Sequence, residues 1–167
     1  AADLRKKLAS NDNKLDTGFV GTPLLCNVLS EHGMSDLAET RFLNEEYPGW
    51  LDEVRMGATT IWERWDSLDE NGHFSSTGMN SLNHYAYGSV AEWLFRHLAG
   101  LQPLEPGFTK ARLAPSPVWE LKNLDCSYHS AAGLWKIHWD IVDDEQLHLE
   151  ATVALACSAL LSLPLCE

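Results

Sequence analysis

The sequence predicts an α+β chain in two units, a helical segment over residues 1–101 and an antiparallel β-sandwich over residues 102–167. Three observations point that way. Apolar residues recur at three- and four-residue spacing before residue 101. After it they recur at every second residue. Between the two, Gln102-Pro103-Leu104-Glu105-Pro106-Gly107 is a breaker-rich stretch in which neither period can run.

The helical elements follow in order. Leu4, Leu8 and Leu15, with Arg5, Lys6 and Lys7, predict a first helix ending near Asn11 to Asn13. Gly18, Gly21 and Pro23 mark a loop, in which Thr22 is read as a helix cap and Pro23 as the first helical position. Leu24, Leu25, Val28 and Leu29 carry the second helix to a stop at Gly33. Ser35 is read as the cap of a third, through Leu37, Ala38, Phe42 and Leu43, and Pro48 precedes a short fourth through Trp50, Leu51 and Val54. The strongest pattern runs from Ser81 to about Leu98. Leu82, Ala86, Val90, Trp93 and His97 line one face and Tyr87, Ala91, Leu94 and Leu98 another, the arc of a helix buried on more than one side.

In the second unit Trp135, Ile137, Trp139 and Ile141 alternate with Lys136, His138 and Asp140, and Leu147, Leu149, Ala151 and Val153 alternate with His148, Glu150 and Thr152. The polar turn Asp143-Asp144-Glu145 joins the two runs into a hairpin with one apolar and one wet face. Phe108 to Leu113, Cys126 to Ser130 and Cys157 to Leu163 add further strands, enough for a sandwich.

Composition narrows the function classes. With 45% hydrophobic and 22% charged residues the chain has globular composition, which excludes disordered and fibrous scaffolds. Its net charge of −12 disfavours a phosphate backbone or an anionic membrane surface as partner. Residues 36–70 hold 10 acids against 3 bases, which reads as a solvated face or as an acidic site for a neutral or cationic ligand. Cys26, Cys126, Cys157 and Cys166 form no CxxC pair and no zinc-finger spacing, so free thiols in a reducing, cytoplasmic compartment are expected. The longest apolar run, Val153 to Leu165, is shorter than the roughly 20 residues that span a bilayer.

Two clusters hold candidate chemistry. In Gly57-Ala58-Thr59-Thr60-Ile61-Trp62-Glu63-Arg64-Trp65-Asp66 one glutamate sits between two tryptophans, whose faces can stack on sugars and whose bulk can desolvate a carboxylate into the range of a general acid or base. The same spacing also fits an amphipathic turn with Glu63 paired to Arg64. In Met79-Asn80-Ser81-Leu82-Asn83-His84-Tyr85-Ala86-Tyr87-Gly88, the side chains of Asn80, Asn83, His84 and Tyr87 are hydrogen-bonders suited to sugar hydroxyls. A helix cap at Asn80 or Ser81 with a satisfied core histidine explains them equally.

Together with Leu15-Asp16-Thr17-Gly18-Phe19-Val20-Gly21-Thr22, these strings resemble bacterial α-L-rhamnosidases of glycoside hydrolase family 78 in content, order and spacing. The β-rich tail is similar to that family's C-terminal domain, so the resemblance covers essentially the whole chain. It implies that residues 1–101 are the last helices of an (α/α)6 catalytic barrel, incomplete here, and that residues 102–167 are the C-terminal β-sandwich. It further implies hydrolysis of terminal α-L-rhamnose from glycosides with inversion, without a cofactor and without a metal in the chemistry. Glu63 matches the family's general base, and His84, 21 residues on, a histidine that contacts rhamnose. Trp62, Asn80 and Tyr87 are carried over as further substrate contacts. The family's general acid belongs to a motif well upstream of the base, which these residues do not contain. The expectation is therefore a C-terminal fragment that holds the base half of the site, does not turn over rhamnosides alone, and has the rest of the barrel upstream.

Val153-Ala154-Leu155-Ala156-Cys157 departs from the family in being more apolar than the polar turn expected before the last strand. Competing readings are a non-catalytic carbohydrate-binding piece using Trp50, Trp62, Trp65 and His84, a purely structural piece that completes a barrel, and an enzyme of another (α/α)6 class. Rhamnose binding measured beside activity separates them.

Overall fold

Helices come first and strands follow, in a computed structural model that describes residues 2–10, 17–75, 78–143 and 146–163. The chain divides into two compact units, Ala1–Val90 and Ala91–Glu167. The first helix, α1 (Ala2–Ala9), is followed by α2 (Thr22–Glu31), α3 (Ser35–Phe42) and α4 (Trp50–Arg55). The expected end of the first helix near Asn11 to Asn13, and Leu15 and Asp16 of the quoted motif, lie outside the described residues.

Helix α2 turns Thr22, Cys26 and Leu29 inward, and α3 turns Ala38 and Arg41 inward. Gly33 ends α2 with φ +70°, the left-handed conformation that glycine adopts without steric penalty. Two expected caps are corrected. Neither Thr22 nor Ser35 caps a helix with its side chain, because each is already the first helical residue. Thr22 instead donates to the Thr17 carbonyl at 2.9 Å and meets the Thr17 hydroxyl at 2.8 Å, which ties down the preceding loop. Helix α4 begins after Pro48, as its turn chemistry predicts, and buries Trp50, Asp52 and Glu53.

The long helix expected from Ser81 to Leu98 is also corrected. It is three pieces: α5 (Tyr85–Gly88), α6 (Val90–Trp93) and a π-helical turn at Leu94–Leu98. Residues 81–84 are a non-helical bend bonded to residues 60–63, so the helix starts only where His84 Nδ1 accepts the Ala86 N–H at 3.2 Å. Ser89 then turns its hydroxyl back to the Ala86 carbonyl, a bond that competes with continued helix. Of the residues the apolar period places on its two faces, Ala86, Tyr87, Val90, Trp93 and Leu98 are buried, Leu82, Leu94 and His97 are half-buried, and Ala91 is exposed.

In the second unit β1 (Leu101–Pro103), β2 (Lys110–Leu113) and β6 (Ser158–Leu161) form one sheet in the order β1-β2-β6. A second sheet holds β3 (Asn123–Ser130), β4 (Gly133–Val142) and β5 (Gln146–Thr152) in sequence order. Three ladders are antiparallel and the fourth, between β2 and β6, is parallel. Strand β1 escapes the alternation pattern because it is three residues long and ends on Pro103, an edge position where a missing N–H costs nothing.

Strand β4 follows the alternation residue by residue: Trp135, Ile137 and Trp139 are at most 1% exposed and Lys136, His138 and Asp140 face outward. The Trp139 indole N–H donates to the Leu98 carbonyl at 3.3 Å, which satisfies its one polar atom in the core. Gly100 sits where backbone crosses backbone. A Cβ there would lie 2.1 Å from the Ala114 carbonyl carbon, and φ is +75°. The apolar stretch before the last strand is itself the turn, with Ala154 buried, Leu155 exposed and Ala156 at φ +60°.

Candidate active site

The two motif clusters meet in the first unit. Residues 60–63 run beside residues 81–84, joined by the Thr60 hydroxyl to the Leu82 carbonyl, the His84 N–H to the Ile61 carbonyl at 2.8 Å and the Glu63 N–H to the Ser81 carbonyl at 2.9 Å. The Ser81 N–H returns a bond to Glu63 Oε2 at 2.8 Å. Glu63 and Ser81 thus hold each other twice, once through backbone and once through the carboxylate. Glu63 is 8% exposed, and among the described residues its Oε1 accepts no hydrogen bond. A carboxylate with one oxygen anchored and the other uncommitted can take a proton from a water placed against it.

Sequence reasoning left Glu63 open to pairing with Arg64. The Arg64 guanidinium instead forks onto Asp66, with Nε at 3.0 Å and Nη2 at 2.9 Å from the two carboxylate oxygens.

His84 is half-buried at the foot of α5. Because its Nδ1 accepts the Ala86 N–H, its Nε2 carries the proton and is the donor of the pair. Phe19 and Tyr85 flank the imidazole, with centroids at 6.3 and 5.1 Å. Phe19 belongs to the third quoted motif, so all three motifs contribute to one neighbourhood.

The remaining candidates are held differently. Trp62 is 3% exposed, and Tyr87 is 2% exposed and stacked on Trp65 at a centroid distance of 3.9 Å. Trp50 meets Trp65 edge-on at 5.2 Å and donates its indole N–H to the Tyr87 carbonyl at 3.0 Å. The Trp65 N–H goes to the Thr17 carbonyl at 3.0 Å. These rings pack the unit's core under the site and fix its loops to one another. Asn80 donates to the Ser67 carbonyl at 2.9 Å, and its buried Oδ1 has no partner.

One residue escaped the sequence reading. Glu53 on α4 is 2% exposed, and its Oε2 accepts the Trp62 N–H at 3.3 Å while Oε1 has no partner. Burial pushes its carboxyl up to about 7, against the lowering effect of the Trp62 N–H. The available signal was its place three residues after Trp50, on the buried face of a short helix. Glu53 braces the backbone immediately before Glu63, from inside the core.

Comparison with known proteins supplies the context for this geometry. Residues 1–98 match the model of the bacterial alpha-L-rhamnosidase 6 hairpin glycosidase domain, and residues 100–167 that of the bacterial alpha-L-rhamnosidase C-terminal domain. The chain is 40% identical over 161 residues to an alpha-L-rhamnosidase of Formosa agariphila, covering 96% of this chain and 17% of that protein. It is 42% identical over 137 residues to one from an Alteromonas species, covering 82% and 15%. Among solved structures, a Streptomyces avermitilis alpha-L-rhamnosidase complexed with L-rhamnose superposes with a TM-score of 0.89 at 34% identity. The match covers 95% of this chain and 15% of that one. A native Aspergillus terreus enzyme of the same name gives 0.91 at 37% identity, covering 95% and 18%. The chain therefore spans less than a fifth of the length of these relatives.

Proposed function

The chain belongs to the bacterial α-L-rhamnosidase family, and from that premise we propose that it supplies the base half of an inverting α-L-rhamnosidase that removes terminal α-L-rhamnose from glycosides. Glu63 is the general base in this reading. Its uncommitted Oε1 takes the proton from a water that attacks the anomeric carbon on the face opposite the leaving group. The general acid, needed on the other side of the sugar at about 6.5–9.5 Å from the base, comes from the upstream part of the barrel. His84 donates from Nε2 to a rhamnose hydroxyl. The observation that supports this most directly is the carboxylate of Glu63, anchored through Oε2 by the Ser81 amide and left open at Oε1.

Glu53 does not qualify as the acid despite its near-neutral carboxyl, because at 2% exposure it meets only the core. Trp62, Tyr87 and Asn80 support the two segments in this reading. With one carboxyl of the pair missing, the 167-residue chain alone releases no rhamnose.

The test uses the full-length protein and this chain in parallel with an aryl α-L-rhamnoside. The full-length protein turns over and its first product is β-L-rhamnose by NMR. Glu63→Gln lowers kcat by roughly a thousandfold or more, and azide, which attacks without giving up a proton, restores turnover. Rhamnose release by the 167-residue chain that Glu63→Gln abolishes would overturn the division of the site. Retained anomeric configuration would overturn inversion.

A further inference from the structure

The outward face of the β3-β4-β5 sheet gathers two imidazoles and three carboxylates from three strands. The register places Asp140 opposite His148, and His138 between Asp125 on one side and Glu150 on the other. His138 Nε2 lies 3.0 Å and His148 Nδ1 2.9 Å from the same oxygen, Asp140 Oδ1. One nitrogen of each histidine and a carboxylate oxygen of Asp140 fall within 4.8 Å of one another. They open on a surface concavity of about 890 Å³.

We infer that His138 Nε2, His148 Nδ1 and the Asp140 carboxylate form a binding site for a divalent transition-metal ion of the zinc class. The distances suit the ion. Zinc bonds of about 2.0–2.2 Å in a tetrahedron put neighbouring donor atoms roughly 3.3–3.5 Å apart, so each nitrogen needs to draw back from Asp140 Oδ1 by only a few tenths of an ångström, while the two nitrogens already lie within 4.8 Å of each other. The donor set suits it as well, since two imidazoles and one carboxylate favour zinc, nickel or copper over calcium and magnesium, which take oxygen ligands. Three protein ligands leave a fourth position open to water in the concavity.

The surroundings of the histidines make the stronger argument. A metal-bound imidazole is normally oriented by a carboxylate on its other nitrogen. His138 Nδ1 is 2.9 Å from Asp125 Oδ1, and His148 Nε2 is 3.7 Å from Glu150 Oε1. His138 therefore has that hydrogen bond, and Glu150 stands at ion-pair distance from the second nitrogen of His148, the two carboxylates coming from strands on either side of Asp140. The backbone is pre-set too, because all five side chains project from paired strands in fixed register. An ion here would clip β4 to β5. Nothing in this site depends on the role of Glu63.

Titrating metal-free 167-residue chain with zinc chloride at neutral pH in a non-coordinating buffer tests the inference by calorimetry. One ion per chain is expected, with a micromolar Kd, while magnesium and calcium give no heat. The double variant His138→Ala, His148→Ala abolishes binding. Asp125→Asn, which keeps all three ligands, weakens it by about 10–100-fold. These side chains are on the outer face, so the far-UV spectrum and melting temperature of metal-free protein report that each variant still folds. Cobalt substituted for zinc should show no thiolate charge-transfer band. Absence of saturable zinc binding overturns the proposal, as does binding that survives in the double variant or brings the thiolate band, since the ion is then held elsewhere.

Discussion

Replacing Glu53 by glutamine removes a charge that the helical unit buries at a cost. The carboxyl is held near 7 against an ordinary value of 4.5, so the folded state binds its proton more tightly than the unfolded chain does. A group of this sign adds stability that is complete below pH 4.5 and is lost as pH rises through about 7. The slope within that window is about 1.4 kcal/mol per pH unit, which accumulates to roughly 3 kcal/mol on the alkaline side. Glutamine keeps a carbonyl oxygen for the Trp62 N–H and has no charge to bury at any pH. The variant should therefore match the parent near pH 4.5 and exceed it by about 3 kcal/mol above pH 8. Urea unfolding followed by the helical far-UV signal measures this, as a midpoint raised by roughly 1–2 M at alkaline pH and unchanged at acid pH. An equal midpoint above pH 8, or a gain that grows towards acid, would refute the reasoning and mean that Glu53 is ionised beside a favourable charge. Glu53→Ala should instead destabilise at every pH, because it leaves the buried Trp62 N–H without an acceptor, a loss of about 1–3 kcal/mol before any cavity is counted.

Other expected outcomes follow from single contacts. Gly100→Ala drives a Cβ to 2.1 Å from the Ala114 backbone and should destabilise the β unit by more than about 3 kcal/mol in thermal melts. Gly107→Ala, at φ +70° but with its nearest neighbour at 3.7 Å, should cost only about 1–2 kcal/mol, which separates overlap from backbone strain. Trp139→Ala removes a side chain with no exposed surface and should cost about 3–5 kcal/mol by the same measurement. Burial pushes the Cys26 thiol up to about 12, so Ellman's reagent near pH 8 should modify Cys26 only when urea unfolds the chain.

Much of this protein is legible in one dimension. The change of period near residue 101 marks where helices give way to strands, because 3.6- and 2-residue repeats each record which face is buried. Strand β4 shows how far that goes: Trp135, Ile137 and Trp139 are named as core by alternation alone, and all three are. The motif strings around Glu63 and His84 likewise identify the family, whose two domain models cover the chain end to end. Periodicity was less informative where hydrogen bonds from distant segments overrule it. The apolar pattern over residues 81–98 reads as one helix, yet residues 81–84 are a non-helical bend, since bonding to residues 60–63 engages their backbone instead of a helix start.

What the sequence by itself determined is therefore the division into a helical and a strand unit, the buried face of β4, and the family, but not every helix face: α4 buries Asp52 and Glu53 and leaves Val54 63% exposed. Tertiary structure alone decided which polar groups meet. Glu53 and Trp62 are nine residues apart and joined by one bond that no local pattern encodes. His138 and His148 stand out in the sequence only as wet-face residues of a hairpin, and it took the register of β4 against β5 to bring both onto one oxygen of Asp140. The reason is physical: burial is a property of a residue and its near neighbours along the chain, whereas a hydrogen-bond or ligand geometry is a property of a pair, fixed only when separate segments are brought to within about 3 Å of each other.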